Sequence, residues 1–261
     1  MAITQTGSVL VLDSDSTPAV SNAASGTIAI TVPGDCTLVV IGVSGYSSTA
    51  NLLSTNGSFD IGGNASVGVG GAASTSFWQS AEHYILNPAT GAQNLDWQWG
   101  GGAGTAVTAA SLKVTVSFWK GVDTGSPTRD SDGAQAGGAT ATTPTLTALS
   151  GDLIIATGAT QDNEQGELTF AWSGASEVSG GVHQGEADIS LATASPSGNQ
   201  TVGFTATGAD ESSVSAWVFK AAGGATITPD MWLPRAEPLH RPKAQMVASG
   251  MTPPNQVNLA A

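Results

Sequence analysis

Thr27-Ile28-Ala29-Ile30-Thr31-Val32-Pro33-Gly34-Asp35-Cys36-Thr37-Leu38-Val39-Val40-Ile41-Gly42-Val43 carries two strand signals separated by one turn. The first six residues alternate, so Ile28, Ile30 and Val32 share one face and Thr27, Ala29 and Thr31 the other. Pro33-Gly34 ends that strand. The run from Thr37 to Val43 is continuously apolar, the pattern of a strand buried on both faces. Neither segment has helical periodicity.

Working outward, the same signals recur along the chain. Apolar runs lie at Ser8 to Leu12, His83 to Leu86, Leu95 to Trp99, Leu112 to Trp119, Leu153 to Thr157, Leu168 to Trp172, Ile189 to Ala192, Thr201 to Thr205 and Val214 to Phe219. Asn87-Pro88, Gly100-Gly101-Gly102, Ser126-Pro127, Ser150-Gly151-Asp152 and Ser195-Pro196-Ser197-Gly198 punctuate them. Many short strands at this spacing predict an all-β fold, a β-sandwich or jelly roll.

The chain also matches itself. Gly34-Asp35 before Leu38-Val39-Val40 resembles Gly151-Asp152 before Leu153-Ile154-Ile155. Phe59 to Val67 resembles Phe170 to Val178, and Pro88 to Leu95 resembles Pro196 to Val202. Ser117-Phe118-Trp119-Lys120 resembles Trp217-Val218-Phe219-Lys220. The order is kept throughout, which predicts a duplicated strand set over about residues 30–122 and 144–222. The halves are either two tandem sandwiches or two parts of one sandwich of about 200 residues. The first 33 residues have no evident counterpart in the second half, which favours one sandwich. The join, 122–143, is polar and Gly-rich, and reads as a linker or a long crossing loop.

Composition limits the partners. The net charge is −13, with 10% charged and 40% hydrophobic residues. Phosphate contacts need clustered Lys and Arg, so nucleic acid is not expected, nor an anionic membrane surface. No apolar run reaches the roughly 18 residues of a membrane helix. The first residues lack a basic and apolar leader, so the expectation is a soluble chain made in the cytoplasm. A single cysteine, Cys36, excludes an intrachain disulfide and a Cys-based metal site.

Candidate chemistry is sparse. His83 starts an apolar strand, His183 lies in a Gly-rich turn and His240 near the C-terminus; none sits in a nucleophile motif. Cys36 reads as a small buried thiol. Glu164 and Glu167 resemble an acid pair but lie in a polar loop, where solvated carboxylates are expected. Asp13, Asp15, Asp130 and Asp132 form short acidic clusters without the further ligands of a calcium loop, and read as turn residues. Neither enzyme activity, metal nor cofactor is expected. Trp97 and Trp99 share one strand face. Exposed together with Trp78, they would form a glycan-stacking platform; turned inward, they are core, which the polar Asp96 and Gln98 opposite favour.

Residues 226–261 differ from the rest. They hold six of twelve prolines, three of four methionines and three of seven basic residues. Pro229, Pro234, Pro238 and Pro242 prevent a regular helix and favour an extended arm. Met231, Trp232, Leu233 and Leu239 need burial, with Arg235 and Arg241 as polar supports, so the arm is expected to dock on a partner, anchored by Trp232.

The strand-by-strand pattern resembles a β-sandwich common in structural and tail-associated proteins of tailed bacteriophages. The shared features are Gly34 to Gly42, the turn Asn87 to Gly91, Phe118 to Asp123 and Gly151 to Ile155, within residues 30–222. The resemblance implies a non-enzymatic virion accessory protein. The reading it favours is a capsid decoration or cement protein, a homo-oligomer such as a trimer on a lattice, docked to other virion proteins. The alternative is a tail, collar or fibre component acting as a carbohydrate-binding adhesin.

Overall fold

The fold was analysed in a computed structural model, which describes residues 2–13, 25–46, 58–69, 78–98, 111–161, 168–184 and 187–223. Every regular element among them is a strand. The first half contains β1 (Thr4–Gln5), β2 (Leu10–Asp13), β3 (Ser25–Val32), β4 (Leu38–Tyr46), β5 (Ser58–Ile61), β6 (Asn64–Ala65), β7 (Val67–Val69), β8 (Trp78–Leu86), β9 (Gly91–Gln98) and β10 (Ser111–Lys120). The second contains β11 (Thr128–Gly137), β12 (Thr140–Thr142), β13 (Leu153–Gln161), β14 (Phe170–Ser173), β15 (Ser176–Gln184), β16 (Ala187–Ala194), β17 (Gly203–Ala206) and β18 (Glu211–Phe219).

These strands form four antiparallel sheets. An inner sheet of the first half runs β1-β10-β4-β8-β7, with β2 also on β10, and faces an outer sheet β3-β9-β5-β6. The inner sheet of the second half runs β11-β18-β13-β16-β15 and faces an outer sheet β12-β17-β14. Each inner–outer pair is a β-sandwich with its own core. Ile28, Ile30, Val39, Ile41, Phe59, Leu95, Val116 and Phe118 fill the first. Ile154, Ala156, Phe170, Val202, Phe204, Val214 and Val218 fill the second.

The two inner sheets then pack on each other. Leu38, Val40, Tyr84 and Trp119 meet Leu153, Ile155, Leu191, Trp217 and Phe219. The Tyr84 ring stands edge-on to Trp217 and Phe219, with centroids 4.9 and 5.6 Å away. This explains the continuous apolar run of β4: Val39, Ile41 and Val43 point into the sandwich core, while Leu38 and Val40 point to the other half. Period-two alternation places neighbours on opposite faces, and here both faces are interior.

Three expectations about organisation need correction. Much of the polar join 122–143 is strand: β11 pairs along β18 from Phe219 to Glu211, and β12 pairs with β17. Its side chains are mostly half-buried at a sheet edge, so apolar alternation was never required of it. The first 33 residues do have counterparts: β2 and β3 occupy the positions in their sheets that β11 and β12 occupy in theirs. Each half therefore has a core cluster of its own, and a third cluster lies between the halves. The expected turn between β8 and β9 is present; Asn87 (φ 46°) and Gly91 (φ 83°) adopt the left-handed backbone conformation that Asn and Gly tolerate best.

Candidate functional site

Polar groups collect in two places among the described residues. The first is the solvent face of the outer sheet β3-β9-β5. Its register sets Thr27 opposite Asp96, and Asp96 opposite Asp60. Thr27 Oγ1 donates to Asp96 Oδ1 at 2.5 Å, and the Gly63 amide donates to Asp60 Oδ1 at 2.7 Å. Two shallow depressions of about 390 and 350 Å³ adjoin Asp96. Ser25, Ser58 and Gln98 line one; Ala29, Gln93 and Asn94 line the other. Like charges directly opposite on neighbouring strands repel, so this face is electrostatically receptive to a cation or a basic side chain.

Trp97 is not part of that face. It is 5% exposed and lies inward against Gly26, where an added Cβ would stand 2.2 Å from the indole. Glycine at 26 is what lets the ring lie flat on the backbone. The glycan-stacking platform is therefore corrected at Trp97: alternation along β9 sends Leu95 and Trp97 to the core and Asp96 to water. Trp99 lies outside the described residues, as does the side chain of Trp78.

The second place is the layer between the inner sheets, beyond the apolar cluster. Glu82 on β8, Gly42 on β4 and Thr115 on β10 form one row across the sheet. The two inner sheets approach closely here: a Cβ on Gly42 would lie 2.4 Å from Thr157 Oγ1 of the facing sheet and 2.6 Å from Thr115 Oγ1 of its own. Glu82 is fully buried, and neither carboxyl oxygen has a hydrogen-bond partner. Burial pushes its pKa well above the ordinary carboxyl range, offset only in part by the nearby Thr157 backbone. Burial therefore favours the protonated, uncharged form of this side chain. Lys113 on β10 and Asp188 on β16 are both completely buried, with Nζ 3.7 Å from Oδ1. They tie the two halves together.

His83 and Cys36 are both buried among core residues. His83 packs edge-on to Phe59 at 5.0 Å, with Ser66 Oγ 3.3 Å from Nδ1. Burial lowers its pKa to about 4, so the ring is neutral. The Cys36 thiol donates to the Leu38 carbonyl, and burial raises its pKa. Asp130 accepts from the Thr147 and Ser131 amides at 2.6 and 2.9 Å, and Asp132 from the Gly133 amide at 2.7 Å. These carboxylates fasten a strand and its neighbouring loop. No group of three His, Cys, Asp or Glu among the described residues could hold a metal. Glu164, Glu167, His240, Asp15 and the arm residues Met231, Trp232, Leu233, Arg235, Leu239 and Arg241 lie outside the described residues, as does the side chain of His183.

Sequence reasoning missed Glu82, Lys113 and Asp188. A signal existed: each is an ionisable residue inside or bordering an apolar strand, as in Leu112-Lys113-Val114. Reading them as buried needs the second inner sheet, which no local pattern reveals.

The four basic residues of the body are all engaged. Lys113 faces Asp188, Lys120 Nζ reaches Asp35 Oδ2 at 2.6 Å, Arg129 forks onto Asp152 at 2.5 and 3.2 Å, and Lys220 donates to Ser126. What the body offers to a partner is therefore dominated by carboxylates. No family model, curated protein or solved structure matches this chain.

Proposed function

We propose that this chain is a non-enzymatic structural protein of a virion, a capsid decoration protein that docks on neighbouring subunits through the arm at 226–261. The observation that carries this reading is the division of charge. The body keeps its four cations in internal bonds and presents acid. The arm holds Arg235, Arg241 and Lys243 beside the apolar Met231, Trp232, Leu233 and Leu239. An apolar anchor flanked by cations complements an acidic surface, and a proline-stiffened arm loses little entropy on docking.

The wiring adds support. In the first half, β2-β10-β4-β8 faces β3-β9-β5-β6; in the second, β11-β18-β13-β16 faces β12-β17-β14. That connectivity supports a jelly roll in each half and a duplicated strand set, because three of the four sequence matches fall on equivalent strands, β4 with β13, β5 with β14 and β10 with β18, and the fourth pairs the start of β9 with the segment leading into β17. Jelly rolls recur in viral shells, which is an argument by analogy of fold.

The test is incorporation. Full-length protein carrying Trp232→Ala should keep its melting temperature and lose most of its binding to purified particles, with electron microscopy locating the wild type on the capsid. Absence of the protein from particles refutes the virion reading. Presence at the tail alone refutes decoration of the capsid.

A further inference from the structure

Every open sheet carries two edges with unpaired backbone groups, and proteins ordinarily protect such edges by shortness, bulges or charge. Most edges here follow that rule. β1, β2, β6, β7, β12 and β14 have two to four residues each. β15 has two register shifts, at Glu177/Ser179 and Ser179/Val182. β11 has one at Thr128/Asp130 and carries Arg129, Asp130 and Asp132.

β3 is the exception. It runs for eight residues, pairs with β9 without a register shift, and contains neither a charge nor a proline. Among the described residues no strand pairs with its other side. Its exposed face is Ser25, Thr27, Ala29 and Thr31, while Ile28, Ile30 and Val32 already belong to the core. A strand added there would extend both the sheet and the hydrophobic layer beneath it.

We infer that β3 is an assembly edge, and that its occupant is β3 of a second copy, paired antiparallel about a two-fold axis. The inference rests on the assembly role proposed above and gives it a surface that does not involve the arm. Two features select a second copy. Antiparallel partners must lie on the same face, so matched registers set Ile28 opposite Ile30, or opposite itself; in both cases apolar meets apolar and Thr meets Ala, Thr or Ser. Second, the chain carries −13 overall, yet this strand is uncharged. The nearest carboxylate, Asp96, sits one strand inward. With strands about 4.8 Å apart, Asp96 and its counterpart would be at least about 14 Å apart, beyond the Debye length of about 8 Å. An approach through β3 sets no described carboxylate of this strand against another, since the strand has none.

The experiment is sedimentation velocity on the full chain, with a charge swap at the exposed Ala29. In the matched registers, residue 29 faces itself or Thr27. Wild type should show a concentration-dependent dimer mass. Ala29→Lys and Ala29→Glu should each raise the dimer dissociation constant at least tenfold, with unchanged melting temperature and circular dichroism. Mixing the two variants should restore the dimer. Monomeric wild type at all concentrations overturns the inference, and so does an Ala29→Lys protein that keeps its assembled mass. If Trp232→Ala dissolves the assembly while Ala29→Lys does not, self-association belongs to the arm, and β3 is only an unprotected edge. None of these outcomes decides whether the protein is incorporated into particles, so the two readings fail separately.

Discussion

Removing one member of the Lys113–Asp188 pair tests how the two halves are held together. The charges are 3.7 Å apart and completely buried, on β10 of one half and β16 of the other. At an effective dielectric constant of about 20, their attraction is about 4.5 kcal/mol. Burial of each ion costs several kcal/mol, so the net worth of the pair is small, but removing one member takes an opposite charge away from a fully buried ion. Asp188→Ala should therefore destabilise by about 3–5 kcal/mol, and Lys113→Met by a similar amount. The double variant Lys113→Met, Asp188→Ala should cost less than about 2 kcal/mol, because no charge is left behind. The assay is urea denaturation of all four proteins, comparing midpoints at constant slope. A cost under about 1 kcal/mol for Asp188→Ala would refute this coupling, because the buried lysine would then not depend on that carboxylate. The reasoning fails equally if the double variant costs the sum of the singles, since the two residues would then not be coupled.

Two groups give opposite pH dependences. The pKa of His83 is depressed to about 4 in the folded state, below the ordinary 6.5, so it withdraws stability as pH falls from 6.5 towards 4, about 3 kcal/mol in all. The pKa of Glu82 is raised above 4.5, so its contribution is full at low pH and is lost as pH rises through the folded value, at about 1.4 kcal/mol per pH unit. Between pH 4.5 and 6.5 the slopes oppose, and Glu82→Gln should steepen the rise of stability with pH over that range, measured by thermal unfolding. An unchanged slope would mean Glu82 is already ionised. A third prediction separates a largely buried ion pair from a half-exposed one. Asp152→Ala, which removes a buried acceptor of Arg129 and of the Leu149 amide, should cost about 2–3 kcal/mol. Asp35→Ala should cost far less in the same denaturation assay, because the Lys120–Asp35 pair is half exposed and screened.

Much of the fold was legible locally, and the reasons are visible in single strands. Alternation in Thr27 to Val32 and at Leu95, Asp96 and Trp97 fixed which side chains face inward, because a strand has a strict period of two. Trp97 was legible as core for that reason. β11 was not legible: a half-buried edge strand needs only backbone partners, and Thr128 to Gly137 looks like a linker until β18 lies beside it. Trp232 and its neighbours were singled out by composition and proline spacing alone.

The amino-acid sequence by itself determined the all-β class, the double burial of β4, the turns at Asn87 to Gly91 and Ser150 to Asp152, and the excess of acid over base. Period, propensity and charge are properties of neighbouring residues, so they can be read from a string. Only the tertiary structure decided that two inner sheets stack, that Glu82 is buried and its pKa raised, that Lys113 finds Asp188, and that β3 lies at a sheet edge with no second partner strand among the described residues. Those outcomes depend on which surfaces come together from distant parts of the chain, and burial alters the energy of a charge far more than any neighbour in sequence does.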